Sequence, residues 1–319
     1  MDEIVVPTTL QILAARPDGN DVDPSKPYHF LVESEYSNAG TIQDVATIFL
    51  TNRECPFRCL MCDLWKNTTT STPAIGMIPE QIEFALRQLP SASQIKLYNS
   101  GNFFDSAAFP KCDRRTVANL VAEFDQVIVE NHPRLCNDQV LDFQQMVSGQ
   151  LEIAMGLETS HPATLQRLNK QMTVDDFARA CEFLVSHEIA VRAFVLLKPP
   201  WTTEEEGVQR AIESVRFAFE NGVQCCAVIP TRTGNGIMEQ LEQLEQFSSP
   251  KLGSLERVIE STVRWGAGRV FADLWDLERF SDCSFCFEAR CARLNNMNLQ
   301  QVVLPSVVCD SCGGTNRGD

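Results

Sequence analysis

The sequence predicts an α/β fold built on parallel strands. From about residue 41, short apolar runs rich in β-branched and aromatic residues alternate with amphipathic helical patterns. The alternation repeats six or seven times, and strands that alternate with helices lie parallel and are joined by helical crossovers. A doubly wound sheet and a full or partial (β/α) barrel both satisfy this pattern.

The strands are expected at residues 46–51, 94–99, 126–130, 151–155, 191–197, 225–229 and 269–273. Helices are expected between them. Residues 79–89 place Ile82, Ala85, Leu86 and Leu89 on one face, and residues 115–124 do the same with Val117, Leu120, Val121 and Phe124. The helix over 173–186 opens with Thr173 and Asp176 at capping-box separation, with Asp in place of the usual Glu or Gln. The helices over 204–221 and 252–265 stop at Gly222 and Gly266, both suited to the left-handed residue that ends a helix. Residues 1–40 contain Pro7, Pro17, Pro24 and Pro27 among acidic residues and read as an irregular N-terminal extension. Residues 41–280 form the core, and 281–319, rich in cysteine and poor in helical pattern, form a separate tail.

The 319 residues are 44% hydrophobic and 22% charged, ordinary for a globular protein. The formal charge of -15 opposes direct contact with a phosphate backbone unless one face is locally basic or a partner carries the nucleic acid. The first residues, MDEIVVPTTL, lack the basic and apolar regions of a secretory signal. No apolar run reaches the roughly 20 residues needed to span a bilayer. A cytoplasmic protein without a membrane partner is the expectation. In that reducing compartment, clustered cysteines point to metal rather than to disulfides. Three of the 13 cysteines lie between Cys55 and Cys62 and five between Cys283 and Cys312. Cys112, Cys136, Cys181, Cys225 and Cys226 read as small buried hydrophobes.

The first cluster lies in NRECPFRCLMCDLWKN, residues 52–67, directly after the first strand. In parallel α/β folds, active sites form on the loops at the carboxyl ends of strands. Three thiolates in a Cys-x3-Cys-x2-Cys spacing can bind three irons of a cubane and leave the fourth open. A zinc site would need a fourth ligand, and no His follows within a few residues. Trp65 and Lys66, just beyond, are candidates to shield such a cluster.

Further polar groups fall at later strand ends. They include Tyr98-Asn99-Ser100-Gly101-Asn102, Glu130 with His132, Gly156-Leu157-Glu158-Thr159-Ser160 followed by HPATLQRLNKQMT, and Ile229-Pro230-Thr231-Arg232-Thr233-Gly234-Asn235-Gly236. Glu130 and His132 are candidates for proton transfer, and Asp273 and Asp276 for holding a polar substrate.

The three-cysteine spacing after a first strand resembles the radical S-adenosylmethionine (SAM) superfamily. The stretch from Gly156 to Lys170 is similar to the corresponding part of the Elongator catalytic subunit and the methylthiotransferases, in the branch that includes the radical SAM subunit of archaeosine synthase. The resemblance covers about residues 45–275 and implies a partial (β/α)6 TIM-type barrel with a short Cys-rich metal-binding appendix. It implies a [4Fe–4S] cluster on Cys55, Cys59 and Cys62. It also implies SAM on the open iron, cleaved to a 5′-deoxyadenosyl radical that abstracts hydrogen from a substrate.

The resemblance gives Met61 a backbone contact to adenine, although this position is usually aromatic. It gives Asn99, Ser100, Gly101 and Asn102 the SAM amino group, in place of a Gly-Gly-Glu form, and Glu158 the ribose hydroxyls or amino group. Arg232 is a candidate for the SAM carboxylate or a substrate anion. A reductant such as flavodoxin or ferredoxin is implied. The substrate is either a tRNA base presented by a partner subunit or a small metabolite. A non-catalytic electron-transfer module is the reading from a different class.

In the tail, Cys283-x2-Cys286 and Cys309-x2-Cys312 lie 22 residues apart. Two such knuckles suit zinc or an auxiliary iron–sulfur cluster, with Cys291 able to replace any one thiol.

Overall fold

The period-two alternation of the strands shows directly in what each face meets. In the computed structural model, which describes residues 4–312, eight strands form one sheet in chain order. They are β1 (His29–Tyr36), β2 (Ile42–Phe49), β3 (Gln94–Tyr98), β4 (Gln126–Glu130), β5 (Gln150–Glu158), β6 (Ala190–Leu197), β7 (Cys225–Pro230) and β8 (Arg269–Ala272). β1 pairs antiparallel with β2, and β2 to β8 are parallel. Ile48, Ile95, Leu97, Val127, Val129, Ile153, Val191, Val195 and Val228 point outward into the main core. The helices that cover them include α2 (Met77–Leu86), α3 (Asp113–Leu120), α6 (Val174–Ser186), α7 (Glu204–Glu220) and α9 (Leu252–Val263), numbered after a short N-terminal α1 (Thr9–Ala14). The shorter α4 (Asp138–Gln144), α5 (Pro162–Arg167) and α8 (Ile237–Gln243) complete this layer, and α10 (Phe287–Gln300) follows the last strand.

The opposite strand faces are polar. Glu35 of β1 pairs with Lys96 of β3, Arg192 of β6 and Arg269 of β8, while Glu152 of β5 pairs with Arg192 at 2.5 Å and Arg269 at 3.3 Å. Strands so far apart in order meet only because the sheet curls around a lumen. The expected partial (β/α) barrel is therefore present, and these buried charges plug its floor.

The local signals for helix ends hold. Thr173 and Asp176 form the reciprocal cap at the start of α6, and Gly222 and Gly266 both adopt positive φ after their helices. Two expectations need correction. Residues 1–40, expected to be irregular, contain α1 and β1, and the tail expected to be poor in helix contains the 14-residue α10. The outer ends of these two segments, residues 1–3 and 313–319, lie outside the described residues. Cys112, expected to be buried, is exposed. Among the described residues, no helix is long and apolar enough to cross a membrane.

Candidate active site

The loop after β2 is pinned through its backbone, and its three thiols lie close enough to raise one another electrostatically. Gln81 of α2 accepts the Thr51 N–H at 2.8 Å and donates to the Thr51 carbonyl at 2.7 Å. Farther along, Asn169 donates to the Arg58 carbonyl at 2.7 Å, and Asn235 donates to the carbonyls of Leu60 and Cys62. The Leu60 N–H donates to the Leu168 carbonyl at 2.8 Å. The Leu60 side chain is sealed among Ile12, Leu168, Ile237, Met238 and Leu241, with Met61 half-buried beside them. Trp65 donates to the Cys62 carbonyl and stacks under Arg16, so α1 and the segment after it lie over this loop.

Burial pushes all three thiols up, Cys59 to about 11, and Cys62 is raised further by the neighbouring Cys59 charge. Cys55 accepts from Asn102 Nδ2 at 3.2 Å, and the Leu64 N–H faces the Cys62 thiol. The donor set fits a cubane. Among the described residues, the group of ligating atoms compact enough for a single ion is the four tail thiols, not these three. A cubane holds its thiolates farther apart than a single ion does, and three thiolates leave one iron open.

The loop after β3 forms the adjoining wall. A Cβ on Gly101 would stand 3.3 Å from the Cys55 Cβ, so glycine allows this backbone to close on the cysteine loop. Ser100 holds φ 50° and shares a 3.0 Å hydrogen bond with the Tyr28 hydroxyl. Asn99 is fully buried, yet neither atom of its side-chain amide has a partner. Such a group in a protein interior needs a partner, an ordered water or a bound ligand.

Glu130 and His132 sit at this wall, but in holding roles. Glu130 accepts the N–H of Asn99 at 3.0 Å, and the N–H groups of Ser100 and Gly101 also face it. Burial nevertheless pushes its carboxyl up to about 7. His132 stacks on Phe57 with ring centroids 3.8 Å apart. Its Nδ1 accepts from the Arg134 N–H, which leaves Nε2 to donate to the Lys170 carbonyl at 3.0 Å. Both nitrogens are engaged, and burial lowers the imidazole to about 3. The side chain is a neutral staple between the cysteine loop and the turn at Lys170.

This depression has a sign. A histidine that titrates near 6.5 when unfolded and near 3 when folded stabilises the fold above the first value, and loses that contribution as pH falls toward the second. His132→Phe keeps a ring against Phe57 and removes the ionisable nitrogens. Its thermal midpoint, followed between about pH 7 and 4, is expected to fall less steeply than that of the parent protein.

Glu158 ends β5 at φ 63° and pairs with Lys170 at 2.6 Å, both nearly buried. Burial opposes the charge on Lys170, but Glu158 and the thiols of Cys59 and Cys55 outweigh it and hold the ammonium above its usual range. Gly156 leaves room for this pair, because a Cβ there would push aside the far ends of both the Glu158 and the Lys170 side chains. Arg232 stands apart from this group. Its guanidinium pairs with Asp273 and, at 3.4 Å, with Asp276, so an anion would have to displace a carboxylate. Sequence reading placed Lys170 at the end of the Gly156–Lys170 stretch but missed its pairing with Glu158, and it missed the support given by Asn235, Phe57 and Tyr28. Their roles lie in contacts between distant segments, for which no local pattern exists.

Beyond the wall, aromatic rings edge the lumen mouth. Phe49 meets His29, Tyr98 and Trp275, and Tyr98 meets Phe194, with centroids 5.8–6.4 Å apart. In the tail, Cys283, Cys286, Cys309 and Cys312 converge, and Cys291 on α10 stands outside the group. Backbone N–H groups of Cys312 and Ser311 draw the Cys309 thiol down to about 7.

No family model matches the chain. An uncharacterized protein of Methanocaldococcus jannaschii is 24% identical over 254 residues, which cover 75% of this chain and 70% of that protein. The archaeosine synthase subunit beta of Thermococcus kodakarensis is 27% identical over 215 residues, covering 63% of this chain and 65% of the relative. The chain thus spans slightly less than two thirds of that subunit's length. Among solved structures, methylornithine synthase superposes with a TM-score of 0.53 at 13% identity, covering 75% of this chain and 67% of that one. Elp3 of Methanocaldococcus infernus superposes at 0.51 and 11%, covering 69% and 59%. SuiB of Streptococcus suis, solved bound to S-adenosylmethionine, superposes at 0.50 and 12%, covering 74% and 50%. In fold the chain resembles solved radical SAM enzymes, and in sequence it resembles the archaeosine synthase beta subunits.

Proposed function

We propose that the chain is a radical SAM enzyme: Cys55, Cys59 and Cys62 would hold a [4Fe–4S] cluster, which would supply the electron for reductive cleavage of bound S-adenosylmethionine, so that a substrate in the barrel would lose hydrogen to a 5′-deoxyadenosyl radical. The observation that carries this reading is the pairing of three converging thiols with the unpartnered amide of Asn99 on the adjoining wall. Asn99, Ser100 and Asn102 offer acceptors to the SAM amino group, and Gly101 offers close backbone approach. Glu158 offers its second oxygen to ribose hydroxyls, Met61 its backbone to adenine, and Arg232 its guanidinium to a carboxylate once Asp273 releases it. Glu130 and His132 position these loops. The residues bind, orient and exclude water, while the cofactor supplies the difficult chemistry.

The aromatic rings at the mouth, set edge to face against one another, suit a planar substrate. With relatives named as archaeosine synthase beta subunits, we take a tRNA base as the substrate. The formal charge of -15 favours a partner subunit that presents the RNA, and the same charge supports a small metabolite as a second reading. Electrons would come from a flavodoxin or ferredoxin. Anaerobic reconstitution, followed by dithionite and SAM, tests the core of this proposal. 5′-Deoxyadenosine is expected. An intact cluster without it would leave an electron-transfer module as the better reading. A filter-binding assay near 0.15 M salt should find no tight tRNA binding by the chain alone, and tight binding would overturn the need for a partner.

A further inference from the structure

We propose that Cys283, Cys286, Cys309 and Cys312 hold one zinc ion, and that this ion is the clasp that keeps α10 across the open edge of the sheet. The proposal is independent of the SAM chemistry and rests on two observations.

The first is spacing. Zinc–thiolate bonds of about 2.3 Å in a tetrahedron separate their sulfurs by about 3.8 Å. Cys283 and Cys309 bring their sulfurs to 3.9 Å, Cys286 and Cys312 to 3.8 Å, and all four lie within 4.8 Å of one another. That volume admits one ion. It is too small for the core of a cubane, whose ligands stand on separate irons at its corners.

The second is what the site holds in place. β8 is the last strand of the sheet, and its outer edge presents unpaired backbone groups. Two amide side chains of the α10 region cover it. Asn298 accepts the Ala272 N–H at 2.8 Å and donates to the Ala272 carbonyl at 2.9 Å. Gln301 does the same for Val270, at 2.8 and 3.0 Å. They stand where a ninth strand would pair.

Ion pairs of Arg290 and Arg293 with Glu256, and of Arg293 with Glu260, also tie α10 to α9. Leu294 and Met297 are its fully buried apolar side chains, beside buried Arg293 and Asn298. The chain then returns along the helix without regular structure, tied by Arg293 to the carbonyls of Leu304 and Pro305. Cys309 and Cys312 thereby arrive beside Cys283 and Cys286 at the helix start. Residues 301–312, which bring in Cys309 and Cys312, contain no buried side chain and depend on an ion to hold them against the helix start.

The test uses the full chain with Cys55→Ala, Cys59→Ala and Cys62→Ala, so that no iron belongs to the first site. Expressed with both metals in the medium, it is expected to carry one zinc and no iron or sulfide. Iron in any form, or no bound metal, would overturn the assignment. The amides of Val270 and Ala272 report the clasp, because they donate to α10-region side chains. Stripping zinc from the folded protein with a strong chelator is expected to speed their hydrogen exchange by at least about tenfold, with zinc restoring protection. Unchanged exchange in the stripped protein would overturn the clasp.

Discussion

A Cys59→Ala protein, reconstituted anaerobically, is expected to assemble no [4Fe–4S] cluster and to form no 5′-deoxyadenosine from SAM under conditions where the parent protein does both. Iron and sulfide content, visible absorption and nucleoside chromatography measure the two losses. The expectation is strict because the loop cannot compensate. The carbonyls on either side of Cys59, those of Arg58 and Leu60, are held by Asn169 and Asn235, and the Leu60 N–H is held by Leu168. No slippage can bring another sulfur to that position. The same pinning predicts that the variant keeps its fold, so circular dichroism should match the parent. Continued 5′-deoxyadenosine formation by the folded variant would overturn the ligand assignment. The raised thiols add a pH effect with a definite sign. Iron binds the thiolate, and burial holds Cys59 near 11, so assembly in the parent protein should quicken between about pH 7 and 9 as deprotonation becomes easier.

The parallel strands were legible because their outward positions are uniformly apolar and helical stretches separate them. β1 was not. Its sequence, HFLVESEY, carries Glu33 and Glu35, whose partners Lys96, Arg192 and Arg269 lie 61 residues or more along the chain. Charge that looks solvated in sequence is here neutralised inside a barrel. α10 was hidden for a related reason, since its buried face carries Arg293 and Asn298 and so breaks the apolar stripe. In the candidate site, spacing exposed the cysteines, because iron imposes a local pattern. The work of Glu130 and His132 was not legible. An acid and a histidine at a strand end read as proton carriers, and only the three N–H groups on one and the two engaged nitrogens of the other show them holding loops together.

Glu35→Ala is expected to lower folding stability by about 3–5 kcal/mol, the usual consequence of removing one partner from a buried ionic cluster, and to drop the thermal midpoint by on the order of 10 °C. Glu35 is 8% exposed and serves three cations. Burial alone would raise its carboxyl, but Arg192 and Lys96 hold it far below the usual range. Without it, Lys96 keeps the half-exposed Glu33 at 3.4 Å, Arg192 keeps Glu152, and Arg269 shares Glu152 with Arg192, so more buried positive charge remains than negative. A compensated variant separates the cost of stranded charge from the loss of packing. Glu35→Met with Lys96→Met and Arg192→Met removes both signs and fills the space with apolar atoms, and should recover most of the midpoint. If Glu35→Ala cost less than about 1 kcal/mol, in the range of exposed ion pairs, the lumen floor would have to be open to water. The effect should reach the mouth as well. β1 starts at His29, which stacks on Phe49 at 5.8 Å, and Tyr28 just before it bonds Ser100 beside the cysteine loop. Loosening the strand at its floor therefore loosens the wall expected to hold SAM, and cluster retention in Glu35→Ala should fall together with its midpoint.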